Sequence, residues 1–253
     1  MKLGLGFGLI MTLASLIASP VYPQEIKEFT ADALIAKNIE ARGGIDAIHA
    51  IKSLKVEGKM VVNQGQLEFT FTQTKKQPGA VRAEYTLQGM TIVQAYDGKE
   101  GWKISPFSGR KDPEKMSTDE AKSLVEDAEI EGPLIDWQAK GSKVEYLGPE
   151  DVDGTLAHKL KVVKKNGDVC YVFLDPDYFL EIRLLSQRTE QGSKVEVETD
   201  LGDYEKVGGA YFPFSIEAAP KGVTDKQKIV IEKATANVTT DDANFKFPTP
   251  ISK

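Results

Sequence analysis

Ser53-Leu54-Lys55-Val56-Glu57-Gly58-Lys59-Met60 opens the stretch whose reading decides the fold, Ser53 to Ile104. Leu54, Val56 and Met60 alternate with Lys55, Glu57 and Lys59. After a turn at Asn63-Gln64-Gly65, Leu67, Phe69 and Phe71 alternate with Glu68, Thr70 and Thr72. After Gln77-Pro78-Gly79, Val81, Ala83, Tyr85 and Leu87 alternate with Arg82, Glu84 and Thr86. Met90 to Tyr96 follows, and Asp97-Gly98 turns it into Gly101-Trp102-Lys103-Ile104. Period-two alternation over this length predicts five antiparallel strands with one apolar and one polar face. A single sheet does not leave such a face in water, so the rest of the chain is read as its cover.

The second half returns to strands. Val144 to Leu147 is one, and Leu156 to Val163 is another. Asn166-Gly167 is a hairpin signal, and Val169 to Leu174 beyond it is apolar on both faces. Leu180, Ile182 and Leu184 alternate with Glu181 and Arg183, and Val195 and Val197 with Glu196 and Glu198. Tyr211 to Phe214 and Lys228 to Ala234 complete a set of about ten or eleven strands. Three helices are expected: Thr30 to Arg42, Ile45 to Ile51, and one from the capping box Ser117-Thr118-Asp119-Glu120 to about Glu129. Pro106 to Pro113 reads as polar loop. No linker or fixed-period repeat separates the halves, so 25–253 is read as one domain.

Residues 1–24 read as a secretory signal peptide. Lys2 precedes an apolar run from Leu3 to Ile17, followed by Ala18, Ser19, Pro20 and Pro23. An uncleaved anchor is the rival reading. No cysteine stands near this segment, so an acyl-anchored N-terminus is not expected. The single cysteine, Cys170, lies in an apolar strand and has no internal disulfide partner. The chain of 253 residues carries 32 Lys and Arg against 38 Asp and Glu. With no basic block or aromatic–arginine platform, nucleic acid is an unpromising partner.

The search for chemistry turns up little. His49 and His158 have no second histidine, cysteine or acidic motif at metal-ligand spacing. Neither a G-x-S-x-G elbow nor a P-loop is present. No catalytic residue, metal or cofactor is expected. What remains is geometry: half-apolar strands and short helices around an apolar interior. A packed sandwich and an unclosed barrel holding a hydrophobic ligand are both compatible with it.

Three groups of residues resemble a known family. They are Ala31–Ile35 with Glu40-Ala41-Arg42-Gly43-Gly44-Ile45-Asp46 and Ile51–Met60, then Tyr96–Trp102, then Leu201–Gly209 with Tyr211-Phe212-Pro213. In order and spacing they are similar to bacterial outer-membrane lipoprotein-sorting proteins, relatives of the periplasmic lipoprotein carrier LolA. The resemblance implies a mainly β (α+β) fold: an incompletely closed antiparallel β-barrel, with short helices over its mouth. It implies a non-catalytic periplasmic carrier of lipoprotein acyl chains or another lipid. Transport components of the inner and outer membranes are then candidate partners, and a monomer is expected. An envelope sensor or interaction module on the same fold is the alternative.

On this reading Met60, Phe69, Phe71, Tyr85, Ile92, Trp102, Leu160, Ile182 and Leu184 line one apolar interior. Leu134, Ile135 and Trp137 cover its mouth, because their segment is too short to be its own core and too apolar for water.

Overall fold

The computed structural model describes residues 29–190 and 192–248. The leader read at 1–24 lies outside the described residues. Two helices come first. Thr30 caps α1 (Ala31–Ala41): its Oγ1 accepts from the Ala33 amide at 3.2 Å. Gly43 and Gly44 end it at φ values of 102° and 92°, which only glycine adopts without strain. α2 (Ile45–His49) follows directly. Leu34, Ile35 and Ile48 are buried, as the apolar stripe demands.

The five strands of the deciding stretch are β1 (Ser53–Val62), β2 (Leu67–Lys76), β3 (Ala80–Leu87), β4 (Met90–Tyr96) and β5 (Gly101–Ser105). A sixth, β6 (Arg110–Lys115), occupies the stretch that reads as polar loop. It lies at a sheet edge, where a strand needs no apolar face and tolerates Pro113. Seven more strands follow. They are β7 (Lys143–Val152), β8 (Thr155–Val163), β9 (Val169–Leu174), β10 (Glu181–Glu190), β11 (Ser193–Val207), β12 (Ala210–Pro220) and β13 (Gln227–Ala236).

All thirteen join one antiparallel sheet, in the order β6-β5-β4-β3-β2-β1-β13-β12-β11-β10-β9-β8-β7. Among the described residues the count of thirteen exceeds the expected ten or eleven. β1 and β13 pair at the centre and join the two halves. β6 and β7, consecutive in the chain, are the two edges and do not pair. Hydrogen bonds therefore leave the barrel unclosed. The chain has to cross from one edge to the other between Lys115 and Lys143.

That crossing carries α3 (Lys122–Asp127). Ser117 and Glu120 exchange the bonds of a capping box, amide to Oε2 at 2.9 Å and amide to Oγ at 3.3 Å. The box closes a turn over residues 118–121, so the helix starts later and ends sooner than expected. Leu124 and Ala128 pack on Val81 of β3.

The inner face of the sheet divides into two apolar clusters. One gathers Leu54, Val56, Met60, Phe69 and Phe71 with Phe212 and Phe214, under Ile48 and Ile51. The other gathers Leu160, Val162, Cys170, Val172 and Leu174 under Leu34 and Ile35 of α1. Leu134 and Ile135 are sequence neighbours, yet Leu134 enters the second cluster and Ile135 the first. The crossing segment is therefore a wedge between the two halves. Burying each such side chain contributes about 1.5–3 kcal/mol.

Candidate functional site

The twelve residues expected to line or cover the interior separate into three groups. Met60, Phe69, Phe71 and Ile135 share the first inner cluster, with Tyr85 and Ile92 packed against it. Leu134 and Leu160 belong to the second, with Trp137 and Leu184 packed against it. Trp102 and Ile182 lie elsewhere.

Trp102 packs with Val93 and Ala95 on the outer face, under Phe247. Its Nε1 donates to the Phe245 carbonyl at 2.8 Å, so the C-terminal segment covers it. β4 is apolar on both faces, Ile92 inward and Val93 outward. Trp102 pairs with Ala95 and so follows the outward set. Ile182 packs with Val152, Ala157, Phe173 and Leu185 in an outer cluster. A bulge between Glu181 and Arg183 is the reason. An extra residue in one strand reverses the alternation counted across it. Ile182 turns outward, and Glu181 turns in opposite Leu174.

Glu181 brings charge into the interior. Its Oε1 lies 3.5 Å from Arg42 Nη1, both side chains being almost wholly buried. The Tyr204 hydroxyl donates to the Glu181 carbonyl at 2.8 Å and lies 3.3 Å from its Oε2. Burial, with the Glu181 carboxylate beside it, raises the Tyr204 hydroxyl well above the usual phenol range. Arg42 Nη1 also donates to the Glu131 carbonyl of the crossing segment at 2.5 Å. One guanidinium thus holds β10 and the crossing segment together.

Two adjoining spaces lie beside this network. A cleft of ≈ 870 Å³ lies between the halves of the sheet. Gln77 and Tyr96 line one side, Val162 and Arg188 the other, and Val125 and Glu126 of α3 cross it. Behind it is an inner cavity of ≈ 270 Å³. Leu54, Leu184, Leu201, Phe212 and Ile216 form its apolar wall. Lys75 and Asp127 face the same space. Glu126, Ile130 and Lys164 line both, so α3 stands at the border between them. Glu126 ties α3 to the far half through Lys164 at 3.0 Å and Arg188 at 2.8 Å.

Of the twelve expected residues, Leu184 alone lines either space. The polar groups were missed. For Lys75 a signal existed: Phe69, Phe71, Gln73 and Lys75 share one phase of β2, so the inward face turns polar along the strand. The protein surrounding the cavity desolvates both groups, lowering the Lys75 ammonium and raising the Asp127 carboxyl from their ordinary ranges. Burial also pushes the Cys170 thiol up to about 12. His49 lies 2.8 Å from Asp136, and His158 bonds the Tyr146 hydroxyl at 3.0 Å between Phe29 and Phe179. Among the described residues no group of three His, Cys, Asp or Glu is placed to hold a metal ion.

A curved, unclosed antiparallel sheet, with helices inside it and a wedge across its opening, matches known structures. A LolA superfamily protein from Nitrosomonas europaea superposes with TM-score 0.57 over 87% of this chain and 99% of its own, at 11% identity. The fold is LolA-like. A DUF1329 family protein from Desulfovibrio piger gives TM-score 0.56 at 14% identity, over 85% of this chain and 96% of its own. A domain described as an outer membrane lipoprotein-sorting protein, from Vibrio parahaemolyticus, gives 0.54 at 12% identity, over 83% and 97%. No family model and no curated protein matches the sequence. What the LolA-like fold adds here is the shared frame; the polar inner cavity is read from this chain's own residues.

Proposed function

We propose that the protein is a non-catalytic carrier that takes the acyl part of a lipid or lipoprotein into its interior. The inner cavity beneath the crossing segment carries this reading: it has an apolar wall and adjoins the cleft beside α3. An apolar concavity with a few convergent polar groups is the usual form of a small-molecule site. The apolar leader read at 1–24 supports export to the periplasm, where a lipid crossing between membranes needs such shelter. The LolA-like fold supports carriage over catalysis but does not specify cargo.

Native mass spectrometry of protein purified from the periplasm tests the reading. An acyl-bearing molecule of defined mass should accompany it. Protein recovered empty, that also fails to take up a fluorescent fatty-acid probe, would overturn it.

A further inference from the structure

Among the described residues, seven charged side chains line the inner cavity. Five have ion partners: Arg42 with Glu181, Glu126 with Lys164, and Glu129 with Lys140. Lys75 and Asp127 differ. Among the described residues neither makes a side-chain hydrogen bond, and neither has an opposite charge within 4.0 Å. Lys75 lies near the charges of Asp127 and Glu129, and Asp127 near those of Lys75, Glu126 and Arg188, without direct contact.

Lys75 is half-buried and Asp127 is exposed, so each presents a charged group to whatever enters the cavity they line. Lys75 is anchored by both neighbours of β2: its backbone pairs with Leu54 of β1 and Val81 of β3. Asp127 ends α3, which Leu124 and Ala128 hold against Val81. Their separation is thus built into the fold. It leaves room for a ligand with the reciprocal pair of charges. The apolar wall of Leu184, Leu201 and Ile216 continues from this polar end.

We propose that Lys75 and Asp127 receive the two charges of a zwitterionic lipid head group, an anionic phosphate at Lys75 and an ammonium at Asp127. The acyl chain lies along the apolar wall. This inference rests on the carrier reading and names the class of its cargo. A purely anionic lipid satisfies Lys75 and leaves Asp127 unpaired against a phosphate. A purely cationic one does the reverse.

The test uses the whole exported chain and soluble short-chain lipids below their micellar concentrations. Dihexanoylphosphatidylethanolamine should bind about tenfold tighter than dihexanoylphosphatidylglycerol, the difference of one charged hydrogen bond. Asp127→Asn should close that gap, and Lys75→Met should weaken both lipids about tenfold. Lys75→Gln, which keeps a polar donor, serves as the second variant at that position and should lie between. Free phosphoethanolamine should bind far more weakly than the lipid, because it lacks the chain. Equal binding of both lipids by wild type and variants would overturn the head-group assignment and leave the carrier reading standing. Binding of free phosphoethanolamine as tightly as the lipid would overturn the amphiphile. If neither lipid binds but a fluorescent fatty-acid probe does, the head-group assignment fails and the carrier reading stands; if the probe fails as well, both fall.

Discussion

Gly43 packs directly on Gly209: a Cβ at position 43 would lie 2.5 Å from the Gly209 carbonyl oxygen. The turn that ends α1 is thereby set against the β11–β12 turn. The Arg42 carbonyl accepts from the Tyr211 amide at 2.9 Å beside it. These are the Arg42-Gly43-Gly44 and Gly208-Gly209 groups of the sequence, 160-odd positions apart and in contact.

Gly43→Ala should therefore destabilise the fold through both a positive φ and a backbone clash. Gly44→Ala shares the positive φ but meets nothing within 4 Å, so it isolates the strain alone. Strain of this kind costs about 1–3 kcal/mol. Chemical denaturation of the two variants should show the larger loss for Gly43→Ala. Equal losses would mean that the helix end does not press on Gly209.

The buried Arg42–Glu181 pair gives a second expectation. Glu181→Leu leaves the guanidinium without its anion, and breaking such a pair costs about 3–5 kcal/mol. Among the described residues Arg42 Nε already has no partner, which deepens the cost. The double variant Arg42→Met with Glu181→Leu should recover much of the loss. A double-mutant cycle with additive losses would show that the two charges do not depend on each other.

His158 sits against Phe29, Phe179 and Tyr146, and burial lowers its pKa below the ordinary value. Asp175 opposes the shift but does not reverse it. The unfolded chain then binds the proton more readily than the folded one. Stability from this site is full above the unfolded pKa of ~6.5 and falls as pH drops through it and below. Unfolding free energies from about pH 7.5 to about 5.5, spanning that pKa, should decline more for wild type than for His158→Gln. An NMR titration of the His158 ring should give a midpoint below that of an exposed histidine. A midpoint at or above it would refute the burial effect.

How much was legible follows from how each element marks itself. The strands of Ser53 to Ile104 were readable because their inward positions are apolar and their outward ones charged. β6 left no mark, since an edge strand of Arg, Lys, Asp, Pro and Glu has no apolar face to betray it. The β1–β13 pairing joins residues such as Leu54 and Ala236. Alternation says which face a residue takes, never which distant strand lies beside it. Leu134 and Ile135 announced their burial by being too apolar for a short segment, but their division between two clusters is a property of the assembled sheet. Ile182 was misplaced because a bulge has no reliable sequence signature. Lys75 was passed over although its phase on β2 pointed inward.

The interior itself offers the sharpest test, because two residues of one alternation class sit in different surroundings. Phe71 is 2% exposed in a packed cluster, with the Tyr85 ring centroid 5.4 Å away. Leu184 packs at the margin of its cluster and lines the inner cavity. A polar side chain at position 71 meets no water and loses the ring's packing. Truncating a core Phe costs about 3–5 kcal/mol, and an unpaired buried amide adds about 1–3 kcal/mol. At position 184 the same amide opens onto a space already lined by Ser186, Thr199 and Lys75, where water can pair it. Phe71→Asn should therefore unfold or severely destabilise the protein. Leu184→Gln should lower stability by no more than about 1–2 kcal/mol, near the ordinary cost of a single substitution. It should weaken binding of a fluorescent fatty-acid probe, since it removes apolar wall. Thermal melts and probe titrations on the two variants decide the matter. Comparable destabilisation at both positions, with probe binding unaffected by Leu184→Gln, would show that position 184 is core and the ligand lies elsewhere.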